Sequence, residues 1–216
     1  MTTHYCDITL NPQLEGSAFF ARVLFRMHGF CEQCPDIRLG IDFPHWIQPR
    51  SFIGATPGNV LRVFGTKDGL SSFMYKSGLI QMLVVDGITV AGIQPVPSTI
   101  TGYVQVGRNQ RVDRLRRLLS DRSQIRPADT SGGIPESLRV LAERKGLNPA
   151  VLMAEEALRK EEFQLRRKSV HMKMRSVSTG GIFHMNLTRK QVPAPPADAT
   201  FSTYGLANGA AAVPTW

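Results

Sequence analysis

The stretch Asn109-Gln-Arg-Val-Asp-Arg-Leu-Arg-Arg-Leu-Leu119 packs four arginines into eleven residues. At about 100° per residue, Val112, Leu115, Leu118 and Leu119 share one helix face. Arg114 and Arg117 point away from that face and Arg116 lies on its flank, with Asn109 suited to cap the first turn. Guanidinium groups set out in this way can contact phosphates on both sides of a groove and pair bidentately with guanine. An ordinary amphipathic helix with a solvated face has the same pattern. A second basic run, Arg166-Arg-Lys-Ser-Val-His-Met-Lys-Met-Arg175, contains no acidic residue, and none occurs from Gln164 to Ala197. His28 stands three and six residues before Cys31 and Cys34. A continuous helix would spread these three over about 120°, which is poor convergence for one tetrahedral ion. The chain has no second CxxC pair, no Walker A loop, no G-x-S-x-G elbow and no H-E-x-x-H pair. Nor do its carboxylates form the constellation of a two-metal nuclease. By residue type and spacing alone, the chemistry stops at binding RNA through arginine.

Charge supports that direction. The net charge is +9 over 216 residues, with a pI near 9.9. Residues 1–100 hold seven Lys/Arg and seven Asp/Glu, whereas residues 101–216 hold 19 and 10, so the whole excess lies in the second half. A neutral half joined to a basic half is a localised electrostatic footprint and favours nucleic acid as partner. A membrane surface fits less well, because the basic runs lack a strongly apolar opposite face. No uninterrupted apolar run reaches the roughly 18 residues of a membrane span. The first residues lack the basic start and apolar run of a secretory leader. Three cysteines are too few, and odd in number, for a disulfide framework. The expectation is a soluble protein of a reducing compartment, with a cytoplasmic location.

The elements that must position these residues follow from periodicity. His4–Leu10 alternates as a strand. Ser17 to about Phe30 reads as a helix with Phe20, Val23, Leu24 and Met27 as its apolar stripe. Ile37–Phe43, ended by Pro44, and Val60–Phe64 read as strands, Leu70–Ser77 as a short helix and Leu79–Val90 as containing a strand. The order β-α-β-β-α-β is the ferredoxin-like arrangement. A proline-bearing link, Ile93–Ser98, leads to a strand over Ile100–Val106, the arginine helix, a turn-rich loop at Pro127–Gly133 and helical sequence between Pro135 and Phe163. His171–Arg175 and Ile182–Thr188 read as a hairpin around Ser178-Thr-Gly-Gly181. Phe201–Leu206 is expected as the closing strand, after a Pro/Ala-rich segment at Val192–Ala199. The predicted class is α+β: residues 1–95 form a ferredoxin-like domain, and residues 96–216 form a basic α+β domain, a divergent ferredoxin-like half.

Taken together, several segments resemble the type I-F CRISPR repeat-processing endoribonucleases. His4-Tyr-Cys-Asp-Ile-Thr-Leu-Asn-Pro12 is similar to the family's opening strand. Val23-Leu-Phe-Arg-Met-His28 resembles its first helix, and Arg38-Leu-Gly-Ile-Asp-Phe-Pro44 the next strand. Val104-Gln105 and Asp113-Arg-Leu-Arg-Arg117 resemble the base-reading strand and arginine helix. Arg175-Ser-Val-Ser-Thr-Gly180 with Phe183 resembles the active-site hairpin, and Phe201-Ser-Thr-Tyr-Gly-Leu206 the closing segment. The resemblance implies cleavage of CRISPR precursor RNA at the 3′ base of the repeat stem-loop, with no metal or other cofactor. In that chemistry the upstream 2′-hydroxyl attacks, leaving a 2′,3′-cyclic phosphate and a 5′-hydroxyl. His28 falls on the family's general base, a role suited to an imidazole of ordinary pKa about 6.5. Ser176 falls on the residue that holds the nucleotide for attack, and Tyr204 on one that orients the histidine. Ser178 would touch phosphate, Phe183 would stack on the stem base, and Gln105 would read the adjoining pair. Arg108, Arg111, Arg114, Arg116, Arg117 and Arg175 complete the expected RNA surface. Family members also keep their product hairpin within a surveillance complex with other subunits.

The chain departs from this pattern in three places. Tyr103 stands where relatives carry an arginine, two extra residues separate Gln105 from the arginine helix, and Gln124–Arg166 has no counterpart that aligns. Two other readings remain at this stage: a hairpin-binding subunit that no longer cleaves, and an unrelated basic RNA-binding protein.

Overall fold

The computed structural model describes residues 2–11, 16–50, 53–86, 88–176, 179–196 and 198–216. In the first half the alternation of β1 (His4–Thr9) buries Cys6 and Ile8. Helix α1 (Gly16–Gln33) buries the expected stripe of Phe20, Val23, Leu24 and Met27 completely. Then come β2 (Gly40–Asp42), β3 (Val60–Gly65) and α2 (Lys67–Lys76). Thr66 caps α2, its hydroxyl accepting from the Gly69 backbone N–H at 3.1 Å. Next are α3 (Leu79–Asp86), β4 (Thr89–Val90) and β5 (Gln94–Pro95). The antiparallel sheet has the order β2-β3-β1-β4, with β5 also pairing β1.

One expectation fails here. Leu79–Val90 is mainly helix, and only Thr89 and Val90 are strand. A short apolar run rich in valine and isoleucine does not distinguish a buried helix from a strand by periodicity. The second strand is also shorter than Ile37–Phe43 implied, with Gly40–Asp42 forming the ladder against β3.

The second half comprises β6 (Gly102–Arg108), α4 (Gln110–Ser120), α5 (Glu136–Arg144), α6 (Pro149–Arg167), β7 (Val170–Arg175), β8 (Ile182–Val192) and β9 (Val213–Thr215). Its antiparallel sheet runs β7-β8-β6-β9. Ranked along the chain, both sheets have the order 2-3-1-4. The second half therefore repeats the ferredoxin-like sheet, but the described part of the connection between its last two strands contains no helix. Phe201–Leu206 is not the closing strand: Phe201 bridges Ala207 across a turn, and β9 takes the edge position. Gly205, at φ 72°, bends the chain where a continuous strand would require an extended residue. Asn109 precedes α4 but does not cap it. Its amide nitrogen instead donates to the Ser169 hydroxyl at 3.3 Å.

The two sheets share a core. Helix α1 packs on β7, and Met27 and Ile41 belong to the same buried cluster as Val106, Met172 and Leu187. Asp42 accepts both N–H groups of the Arg189 fork, at 2.7 and 3.0 Å, across 147 positions of sequence. Asp42 is only 2% exposed, so loss of Arg189 would strand a buried charge, at a cost of about 3–5 kcal/mol. Close backbone approach completes the junction. The Ile41 N–H donates to the Gly205 carbonyl, and a Cβ on Gly205 would lie 2.8 Å from both Ile41 and Met27.

Candidate active site and nucleic-acid interface

That junction determines the surroundings of His28, in the last turns of α1. Gly205 seats the preceding residues over the histidine, and Tyr204 stacks on the imidazole with ring centroids 4.2 Å apart and planes 13° from parallel. The Thr203 hydroxyl lies 2.8 Å from His28 Nδ1, and Glu32 Oε1, one helical turn on, lies 3.8 Å from the same nitrogen. Nδ1 is thus occupied by protein, which leaves Nε2 to meet a substrate. A hydroxyl partner suits a group that cycles through protonation states. It accepts from Nδ1–H when Nε2 carries the lone pair. Burial raises the pKa of the Tyr204 phenol, and the Glu32 charge adds to this while Arg108 opposes it. Tyr204 therefore stays a neutral ring beside the histidine at physiological pH.

Arg108, whose charge is felt by Tyr204, is tied to the start of the arginine helix. Its guanidinium lies 6.0 Å from the Phe183 ring centroid and donates to Asp113 Oδ2 from Nε at 3.2 Å and Nη2 at 2.7 Å. Asp113 Oδ1 accepts from Asn186, a fully buried side chain that also reaches His171 Nδ1 at 3.2 Å. This chain of bonds fixes the start of α4 against β8. Arg108, Arg114, Arg116, Arg117 and Phe183 line one groove of about 520 Å³, together with His184.

The arginines of α4 are not equivalent. Arg111 forms a two-pronged pair with Glu161 at 2.9 and 3.0 Å, and Arg116 donates to Glu162 at 3.2 Å. Both glutamates lie on α6, which packs along α4. Arg114 and Arg117 are exposed and have no side-chain hydrogen bond or ion pair among the described residues. Helix α6 is itself anchored by Glu155, 3% exposed, which accepts from Arg122 at 2.8 and 3.2 Å and from Arg159 at 2.6 and 3.1 Å. The unaligned segment thus braces the arginine helix. The face left open predicts that Arg114→Ala and Arg117→Ala will each weaken hairpin binding. Each should also lower the log–log salt slope by about one per lost phosphate contact. A salt titration of the double mutant that superposes on wild type would show that this face is only solvated.

The remaining expected residues are placed as follows. Ser176 follows β7, and its hydroxyl accepts from the Thr179 N–H at 3.3 Å, within the turn closed by Ser176 N–H to the Gly181 carbonyl at 2.7 Å. Ser178 lies outside the described residues. Arg175 Nε donates to the Gly180 carbonyl at 3.3 Å. Gln105 is half-buried on β6, and its amide nitrogen donates to the Gly209 carbonyl at 2.6 Å and the Ala211 carbonyl at 3.3 Å. Tyr103 lines a separate cleft of about 620 Å³ with Arg38 and Asp198. Cys31 is buried, which pushes its thiol up to about 11, and no three His, Cys, Asp or Glu side chains converge among the described residues.

Sequence reading missed four neighbours. Thr203 adjoins Tyr204, and Glu32 is four residues from His28, a spacing that was legible. Lys190, paired with Gln105 across the ladder, and His184, stacked on His171 at 4.6 Å, depend on strand register. Burial first, then the charge of His171, lowers the pKa of His184.

Fold and site together define an α+β protein with two ferredoxin-like sheets, a cradled histidine and an adjacent arginine groove. The family model described as CRISPR-associated protein (Cas_Csy4) matches residues 5–216. This chain belongs to that family and is a CRISPR repeat RNA-processing endoribonuclease. No described helix is long and apolar enough to cross a membrane.

Proposed function

We propose that this enzyme cuts at the 3′ base of the repeat stem-loop by a metal-independent transesterification. His28 Nε2 takes the proton of the upstream 2′-hydroxyl, the new P–O2′ bond forms, and the P–O5′ bond breaks. The departing 5′-oxygen takes a proton from solvent, so the products are a 2′,3′-cyclic phosphate and a 5′-hydroxyl. The observation that carries this reading is the engagement of His28 Nδ1 by Thr203, with Tyr204 stacked on the ring. Together they fix both the ring plane and the nitrogen presented to substrate. Ser176 positions the attacking ribose, Ser178 touches phosphate, Phe183 stacks beneath the stem, and Arg108, Arg114 and Arg117 hold its backbone. Arg111, Arg116 and Arg175 contribute charge at the margin. We place the boundary between the ferredoxin-like half and the RNA-binding half at residues 95 and 96, since each sheet draws its strands from one side of that point. The product hairpin stays bound within a surveillance complex of other subunits, in the cytoplasm.

The deciding experiment is incubation with the cognate repeat RNA in excess EDTA, followed by end-group analysis. A cyclic phosphate on the upstream fragment is expected. Activity that vanishes in EDTA and returns with Mg²⁺ or Zn²⁺ would overturn the metal-independent mechanism.

Gln105 reads the bottom base pair in this scheme. Since its amide nitrogen is held by Gly209 and Ala211, the Oε1, which accepts no hydrogen bond among the described residues, accepts from a base-edge amino group, while Tyr103 adds a ring contact. Swapping that pair should cost wild type about 1–3 kcal/mol. Tyr103→Phe should keep most of this discrimination. Competitive binding at one salt concentration tests the assignment, and equal discrimination by Gln105→Ala would move the readout elsewhere.

A further inference from the structure

A second groove, of about 410 Å³, lies between α1, α3 and β7 and shares no residue with the arginine groove. Its lining is of two kinds only: apolar side chains, among them Ala18, Phe25, Met82 and Met174, and the cations Arg22, Arg26, Lys173 and Arg175. Arg26, Lys173 and Arg175 have no ion pair among the described residues, and Arg26 spends one N–H on the Ser77 carbonyl at 3.1 Å. The groove meets the catalytic site on both sides. Phe25 is one helical turn before His28 on the same face of α1, and Ala21 and Ala18 continue that face away from it. Across the groove, Arg175 immediately precedes Ser176.

We infer that this groove holds the single-stranded RNA immediately downstream of the cut. The inference rests on the proposed cleavage at the 3′ base of the stem. There the scissile phosphate must sit at His28, so the strand continuing 3′ from it leaves beside His28 and Ser176. The strand on the 5′ side leaves from the opposite edge of the stem. A cationic rim tracks phosphates, and an apolar floor with an aromatic ring accepts base faces without selecting among them. The same surface could seat only an acidic protein segment, and it would do so beside the bond being cut. Grip on this strand helps to place the scissile phosphate before cleavage and is relinquished when the 5′-hydroxyl product departs.

The test uses the full chain and repeat hairpins with a 2′-deoxy block at the cut, ending either one nucleotide beyond it or about four further on. The added 3′ nucleotides should tighten binding about tenfold, and the same nucleotides added at the 5′ end should give no gain that depends on this groove. Ala18→Glu and Lys173→Glu, single changes at exposed positions on different elements, should each erase most of the 3′ gain. Both should leave affinity for the short hairpin, and the cleavage rate of its unblocked form, unchanged. Equal wild-type affinity with and without the 3′ extension overturns the inference without any variant. So does a 3′ gain that survives both variants, including the case in which they instead lose a protein subunit from the assembled complex. Failure to cleave the short unblocked hairpin counts against the proposed reaction alone, because the binding comparison does not require turnover.

Discussion

A repeat RNA with one 2′-deoxyribose immediately upstream of the cut should bind with unchanged affinity and remain intact. The proposed nucleophile is that hydroxyl, so its removal deletes a reactant and the loss should be complete within the assay. In the proposed mode affinity is set elsewhere, by phosphate contacts in the groove lined by Arg108, Arg114 and Arg117, and one sugar oxygen contributes little to it. The check is a gel assay of cleavage beside equilibrium binding of the same RNA. Measurable cutting at the modified site would mean that water or another external nucleophile attacks the phosphate. His28 would then have to activate that nucleophile.

His28→Ala should lower single-turnover cleavage by about 10²–10⁴-fold, the usual worth of a positioned general base. Hairpin affinity should be nearly unchanged, because His28 is only partly exposed and lies outside the lining of the arginine groove. Stability should also hold. The imidazole contributes one hydrogen bond and one stacking contact, and the neighbouring buried stripe of α1 stays in place. The split between rate and binding is diagnostic, since a merely structural histidine would lower both together. Cleavage by the mutant within about threefold of wild type would remove His28 from the mechanism.

Much of this arrangement was legible in the chain. The stripe Phe20, Val23, Leu24 and Met27 places α1, and the spacing of Val112 and Leu115 against Arg114 and Arg117 places the arginine helix. Both patterns are local, because side chains on one helix are oriented by the helix itself. The short ordered resemblances along the chain then indicated His28, Ser176 and Tyr204. Two elements were misread where local pattern is ambiguous. The apolar run from Leu79 became a helix, and Phe201–Leu206 became a turn because Gly205 adopts a positive φ against Ile41 and Met27.

By itself, then, the sequence pointed to His28 as the candidate reactive side chain and determined the position of the charge and most of the order of the elements. Tertiary structure decided which groups are available. Arg111 and Arg116 carry the same charge as Arg114 and Arg117, yet α6 brings Glu161 and Glu162 to the first pair only. His28 and Thr203 are 175 positions apart, and they meet because the 203–207 turn is wedged between β2 and β6. It is held there by the backbone bonds of Ile41 to Gly205 and Ala207 to Val106. Periodicity reports the face on which a residue lies within its own element. It carries no information about what packs against that face from a distant part of the chain, and here that packing determines which histidine nitrogen and which arginines are left for the proposed contacts with RNA.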